Sequence, residues 1–169
     1  MRTRRIVFPL LTVVIAAASP APARAVTQGG QAVSDATARE VERAVLETNR
    51  RMIEAADALD FDAFFDFFTS GDGVTIVQDG EAFRSLDAAR AAVEAAYVGI
   101  RRVERRYENP NVTVLTSEAA LLVSEGPVTV TLMDDRRISR RFAVSLLFVR
   151  RIDGWKVLHG HYSMPDPGL

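Results

Sequence analysis

The sequence contains no cysteine. That absence excludes a disulfide framework and any thiolate chemistry, nucleophilic or metal-binding. Histidine is nearly as scarce, with His159 and His161 the whole supply. Lysine occurs once, as Lys156, so almost every cation is arginine. Charge of neither sign dominates, with 21 Lys+Arg against 22 Asp+Glu. No apolar run is long enough to span a bilayer: Ile6 to Ala18 supplies only about 13 residues where about 20 are needed. There is no internal repeat and no low-complexity tract.

What is present begins with an export signal. Arg2, Arg4 and Arg5 make a positive start, the apolar run follows, and Ala23 and Ala25 have the Ala-x-Ala spacing of a signal-peptidase site. The expected organisation is a signal peptide over 1–25, a flexible lead over 26–34, one folded domain over 35–165 and a tail over 166–169. "TRRIVF" (Thr3 to Phe8) also resembles a twin-arginine signal, so the choice of export route stays open. Cleavage after Ala25 removes four arginines and no acid, taking the net charge from -1 to about -5. A mildly acidic chain is poorly matched to nucleic acid or anionic lipid, so neither is expected as a partner, and no membrane association is expected after cleavage. The arginine bias and abundant alanine point to a bacterial, GC-rich genome, hence a periplasmic or secreted protein. Roughly 144 residues remain, enough to bury about two thirds of the unfolded surface without staples.

Helical patterns occupy the first half. Ser34 or Asp35 can cap a helix whose apolar positions, Val41, Val45, Thr48, Met52, Ala55 and Leu59, repeat at three- and four-residue steps. Asp60 can cap a short second helix with Phe61, Phe64, Phe65 and Phe68 on one stripe, a core face rather than a ligand box. "VTIVQDGEAF" (Val74 to Phe83) reads as a hairpin turning at Asp79–Gly80. Ser85 caps a third helix, expected to carry Leu86, Ala89, Val93, Ala96, Tyr97, Ile100 and Val103 on one side. Arg101, Arg102, Arg105 and Arg106 then lie on its solvent side, as an anion site or as a solvated helix end.

From Tyr107 onward the pattern is β. "NVTVLT", "AALLVSE", "VTVTLM" and "RRFAVSLLFVRR" are rich in β-branched and aromatic residues, and turn signals separate them. Asp153–Gly154 suits a two-residue hairpin loop that leads into "WKVLHGHYSMP". Alternation puts Trp155, Val157, His159, His161 and Ser163 on one face. Pairing Ile152 with Trp155 then sets Phe148 opposite His159 and Leu146 opposite His161. Both faces of this hairpin are apolar, which suggests helices on one side and a partner subunit on the other. Three readings of the histidines stay open. They are pocket groups that bind or catalyse, structural groups satisfied by hydrogen bonds, or two ligands of a metal site that would need a third, distant carboxylate.

A capped helix, a short aromatic helix, a hairpin, another capped helix and antiparallel strands ending in Trp-x-Val-x-His-x-His-x-Ser form a familiar order. "DGWKVLHGHYS", helped by "LDFDAFFDFFTSGDGV" and "SLDAARAAV", resembles the nuclear transport factor 2-like superfamily, nearest to SnoaL-like proteins and the association domain of calcium/calmodulin-dependent kinase II. The resemblance implies an α+β, cystatin-like, cone-shaped roll in which three N-terminal helices pack on a strongly curved antiparallel sheet. It implies an apolar pocket and a homodimer through the outer sheet face. Relatives include isomerases, dehydratases, polyketide cyclases and an epoxide hydrolase, beside proteins that only bind or assemble, so fold alone leaves function open.

An isomerase site needs a carboxylate facing an oxyanion donor. Tyr97 can be the donor; Asp62, Asp66 and Asp72 do not present a matched carboxylate, and no Asp–Arg–Asp set is evident. The expected site therefore has His159, His161 and Tyr97 as catalytic groups. Phe148, Leu146, Val157, Trp155, Val93, Ile100 and Phe64 are the expected ligand-binding wall, with neither metal nor cofactor. The expected activity is binding of a small apolar or amphipathic molecule with cofactor-free isomerisation, dehydration or cyclisation. The alternatives are a non-catalytic binding or assembly module with structural histidines and a metal-dependent enzyme using the His-x-His pair.

Overall fold

A computed structural model describes residues 33–165 apart from Asp72. The expected signal peptide, most of the lead and the tail therefore lie outside the described residues. Helix α1 spans Asp35–Asp57, with Ser34 as its N-cap accepting from the Thr37 N–H at 3.2 Å. Val41, Val45, Asn49, Met52 and Ala56 form its buried face, one helical stripe. Leu59, at φ 60°, turns the chain, and Asp60 caps the short helix α2, Phe61–Phe65. Phe65 and Phe68 are buried, as the aromatic stripe requires. Ser85 caps α3, Leu86–Ala96, by accepting from the Ala88 N–H at 3.2 Å.

The third helix stops earlier than its apolar spacing predicts. Tyr97 is its C-cap and Gly99 takes φ 84°, a left-handed stop that glycine adopts without Cβ strain. Ile100–Arg105 is strand β3. The arginine cluster thus belongs to a strand and the turn after it, and not to a helix end. Arg101, Arg102 and Arg106 pair with Asp135, Glu104 and Glu108 at the surface. Arg105 turns the other way.

The strands are β1 (Thr75–Gln78), β2 (Glu81–Phe83), β3, β4 (Glu108–Thr116), β5 (Ala119–Leu132), β6 (Arg137–Arg151) and β7 (Gly154–Ser163). They form one curved, unclosed sheet in the order β2-β1-β7-β6-β5-β3, with β4 also on β5. All pairs are antiparallel except β1 with β7. Asp79 (φ 48°) and Gly80 (φ 91°) make the expected hairpin turn, since a type I′ turn needs positive φ at both positions. Helix α1 packs on β3, β4, β5 and β7 and covers the inner face. The result is the α+β roll implied by the resemblance. Among the described residues no helix is long and apolar enough to cross a membrane.

Strand β5 gives one edge to two partners in succession. β4 pairs with Ala119 to Glu125 and β3 pairs with Val128 to Leu132. The changeover is at Gly126–Pro127. A Cβ on Gly126 would lie 1.8 Å from the Arg106 carbonyl oxygen, so only glycine fits. Arg106 N–H in turn donates to Pro127 O at 3.0 Å. This junction fixes the chain on either side of Arg106, and so fixes Arg105 and Tyr107.

Candidate functional site

A cavity of about 260 Å³ opens between α1, α2, α3 and the inner face of the sheet. Its walls are mostly apolar, with Phe61, Phe64, Val93, Ile100, Val130 and Phe142 among them. Its polar groups are few: Arg105 and the three tyrosines Tyr97, Tyr107 and Tyr162, together with Gln78, Asp79 and Ser163. That mixture, a greasy hollow with a few convergent polar atoms, is the usual form of a small-molecule site.

Each polar group is placed by its element. Tyr97 caps α3, and its ring stands edge-on to Phe61 with centroids 5.2 Å apart. A bulge between Ile100 and Arg102 resets the alternation of β3, so Val103 and Arg105 point inward, opposite Val130 and Val128. Arg105 Nη1 reaches Asp57 Oδ1 at 2.5 Å, and its backbone N–H donates to Asp57 Oδ2 at 3.0 Å. Asp57 thus ties the last turn of α1 to the end of β3. Arg105 Nη2 donates to the Tyr97 hydroxyl. The chain Asp57–Arg105–Tyr97 is therefore a continuous charge-assisted path ending at a phenol on the cavity wall.

Tyr107 packs edge-on to Phe142, with centroids 5.0 Å apart. Burial pushes its phenol up to about 12; Asp57 and Tyr97 act in the same direction and Arg105 opposes them. Tyr162 sits on β7, where its ring folds back over Gly160; a Cβ at 160 would stand 3.0 Å from Tyr162 Cε2. Its hydroxyl is buried and has no hydrogen-bond partner among the described residues. Burial raises the Tyr162 phenol well above its ordinary value, with Tyr107 and Tyr97 adding to the shift and Arg105 opposing it. Both groups are held as neutral phenols.

The histidines are elsewhere, which corrects the expected sidedness. The β6–β7 loop is Ile152–Asp153, closed by Arg151 opposite Gly154, and not Asp153–Gly154. Phe148 pairs with Val157, but Leu147 then pairs with His159, so Leu158 is an extra residue. One extra residue reverses every later side chain. His159 lies beside Leu147 and Thr75, and His161 beside Ser145 and Val77, on the outer face of the sheet. Gly160 and Tyr162 take the inward positions, opposite Leu146 and Val144.

Of the expected ligand wall, Val93, Ile100 and Phe64 line the cavity, as does Tyr97. Phe148, Leu146, Val157 and Trp155 do not. They fill the closed end of the core, at 0%, 0%, 0% and 8% exposure. The segment after α2 bridges the edge of β7 there: Val157 N–H donates to Phe67 O at 2.8 Å, and Thr69 N–H donates to Val157 O at 3.0 Å. Among the described residues no group of three or more His, Asp or Glu is placed to hold a metal ion.

Residues 45–167 match the SnoaL-like domain family. The chain belongs to that family. No curated protein matches the chain. Solved structures carry the same fold. A nuclear transport factor 2-like superfamily protein from Salmonella enterica superposes with a TM-score of 0.68 at 17% identity, over 78% of this chain and 96% of that one. A candidate scytalone dehydratase from Novosphingobium aromaticivorans gives 0.71 at 12% identity, over 79% and 89%. A hexachlorocyclohexane dehydrochlorinase from Novosphingobium barchaimii gives 0.65 at 12% identity, over 80% and 97%. At such identities the SnoaL-like fold is what these structures share with the chain.

Sequence reading missed Arg105, Asp57, Tyr107, Tyr162 and Asp79 as site residues. Arg105 was hidden among surface arginines, and Asp57 stands one place off the buried stripe of α1. A signal for Tyr162 did exist. Leu158, Gly160 and Tyr162 make a more apolar set than His159, His161 and Ser163, and a glycine inside a strand marks a bulge or a close approach.

Proposed function

We propose that this SnoaL-like chain binds a small apolar or amphipathic molecule in the cavity and carries out cofactor-free proton transfer on it, of the isomerase, dehydratase or cyclase type. The observation that carries this reading is the Asp57–Arg105–Tyr97 chain ending on the wall of an otherwise apolar hollow. A phenol whose oxygen accepts from a guanidinium is a strengthened hydrogen-bond donor, suited to stabilise developing oxyanion charge. The base falls to Asp79 in place of a histidine. It is the one carboxylate among the lining residues, at the rim, with Oδ1 held by the Met164 N–H at 3.0 Å. Dehydration and dehydrochlorination, the activities named for two structural relatives, both remove a proton with a leaving group.

The test is exchange of the methyl hydrogens of 2-acetylnaphthalene in heavy water, followed by NMR. Wild-type protein should accelerate exchange over buffer. Asp79→Asn and Tyr97→Phe should each lose about 10²-fold of that acceleration. Absence of any acceleration ends the catalytic reading.

Export through residues 1–25 and a homodimer are part of the same proposal. Support for the dimer is the outer sheet face, where Leu121, Leu147 and His159 form one cross-strand row and Val123, Ser145, His161 and Val77 the next. Val123 is 44% exposed there, an apolar side chain without cover. Sedimentation equilibrium of the mature chain measures this directly, and a monomer at all concentrations would refute it.

A further inference from the structure

We propose that the polar end of the cavity takes a neutral hydrogen-bond acceptor, a ketone or aldehyde oxygen, and that Asp57 is the residue that turns carboxylates away. This rests on the cavity being the ligand site. Arg105 is the only cation among the lining residues. Alone, it would make the pocket a carboxylate trap, since guanidinium and carboxylate match as two parallel hydrogen bonds. It is not alone. Asp57 takes Nη1 at 2.5 Å, and the two side chains are only 16% and 25% exposed. The pair cancels its own charge before any ligand arrives.

The remaining donors are hydroxyls. Arg105 Nη2 is spent on the Tyr97 oxygen, which leaves the Tyr97 hydrogen free to donate into the hollow. Tyr162 lines the same hollow, but its hydroxyl is buried away from it, so the donor that meets a ligand is Tyr97. A carbonyl oxygen has two lone pairs and no charge to desolvate, and it accepts the Tyr97 hydrogen. A carboxylate would give up its water for neutral phenols and an already paired arginine, which is unfavourable.

The experiment compares three probes of similar size on the mature chain by calorimetric or fluorescence titration: naphthalene, 2-acetylnaphthalene and 2-naphthoate. The expected result is ketone binding about tenfold tighter than either of the others, the worth of one or two hydrogen bonds. Asp57→Asn frees the guanidinium charge and should tighten 2-naphthoate about tenfold while moving the ketone less than about threefold. Tyr97→Phe provides a second arm should Asp57→Asn not fold. It should weaken the ketone about fivefold while changing naphthalene less than about twofold. Equal binding of naphthalene and the ketone would overturn the proposal and leave the cavity as an apolar site. A preference of wild type for 2-naphthoate, or no gain for it in Asp57→Asn, would overturn it as well. If none of the three probes binds, the cavity is not the ligand site and both readings fall.

Discussion

The inner face of the β6–β7 hairpin has two halves. Around Phe148, Leu146, Val157 and Trp155 the sheet is packed solid, and the segment after α2 bridges its edge at Val157. Beyond Gly160, the same face becomes the wall of a hollow and carries Tyr162 and Phe142. The two halves share strands and hydrogen-bond ladders, so the division is made by side chains and by what covers them. Where helix and strand meet tightly, the residues serve stability. Where α3 ends early at Tyr97, space is left, and polar groups from α1, α3, β3 and β7 converge on it. The buried Tyr162 hydroxyl without a partner shows the cost: that group would be more stable paired, and the fold leaves it waiting.

Substitution should separate the halves. The largest effect is expected at the packed end. Phe148→Ala removes a ring with no exposed surface from the region least able to collapse, and should cost about 3–5 kcal/mol in chemical denaturation. A loss below about 1 kcal/mol would mean that this end is not the anchor of the fold. Alkali should act on the polar end. Tyr107 and Tyr162 hold their protons more tightly folded than unfolded, Tyr107 up to about 12. Their contribution is fully present below about pH 10, the unfolded value, and is lost as pH rises toward 12. Denaturant midpoints should therefore fall across that window as the phenolate absorbance rises. Flat stability there would show both phenols to be freely solvated. The smallest effect is expected from Tyr162→Phe in the absence of ligand. Removing an unsatisfied hydroxyl should raise stability by up to about 1 kcal/mol; a loss of similar size would reveal a partner for that oxygen.

Much of the architecture was legible beforehand because it rests on short-range rules. Ser34, Asp60 and Ser85 announce three helix starts, Asp79–Gly80 announces a hairpin, and β-branched runs announce the strands. Periodicity put Tyr97, Val93, Ile100 and Phe64 on inward stripes, and the family resemblance supplied the hollow they were expected to line. Three features behind the misreadings have one form, a repeat broken by a single residue: Gly99 ending α3, the irregularity after Ile100, the extra Leu158. The β6–β7 loop, expected one residue late at Asp153–Gly154, is a separate slip in turn placement. A period of two and a period of 3.6 both predict inward positions correctly until the count slips, and neither reveals the slip. Arg105 and Asp57 lie beyond such rules altogether, since they are brought together from 48 positions apart by the junction of β3 with β5.

Leu158 carries a consequence for how such proteins diverge. In-frame loss of that one codon would join Val157 directly to His159, and plain alternation would then keep His159 and His161 outward against Leu147 and Ser145, with Tyr162 still inward against Val144. The wall of the hollow is thus insensitive to a length change at this point. An imidazole can reach it only by replacement of a residue that already faces inward.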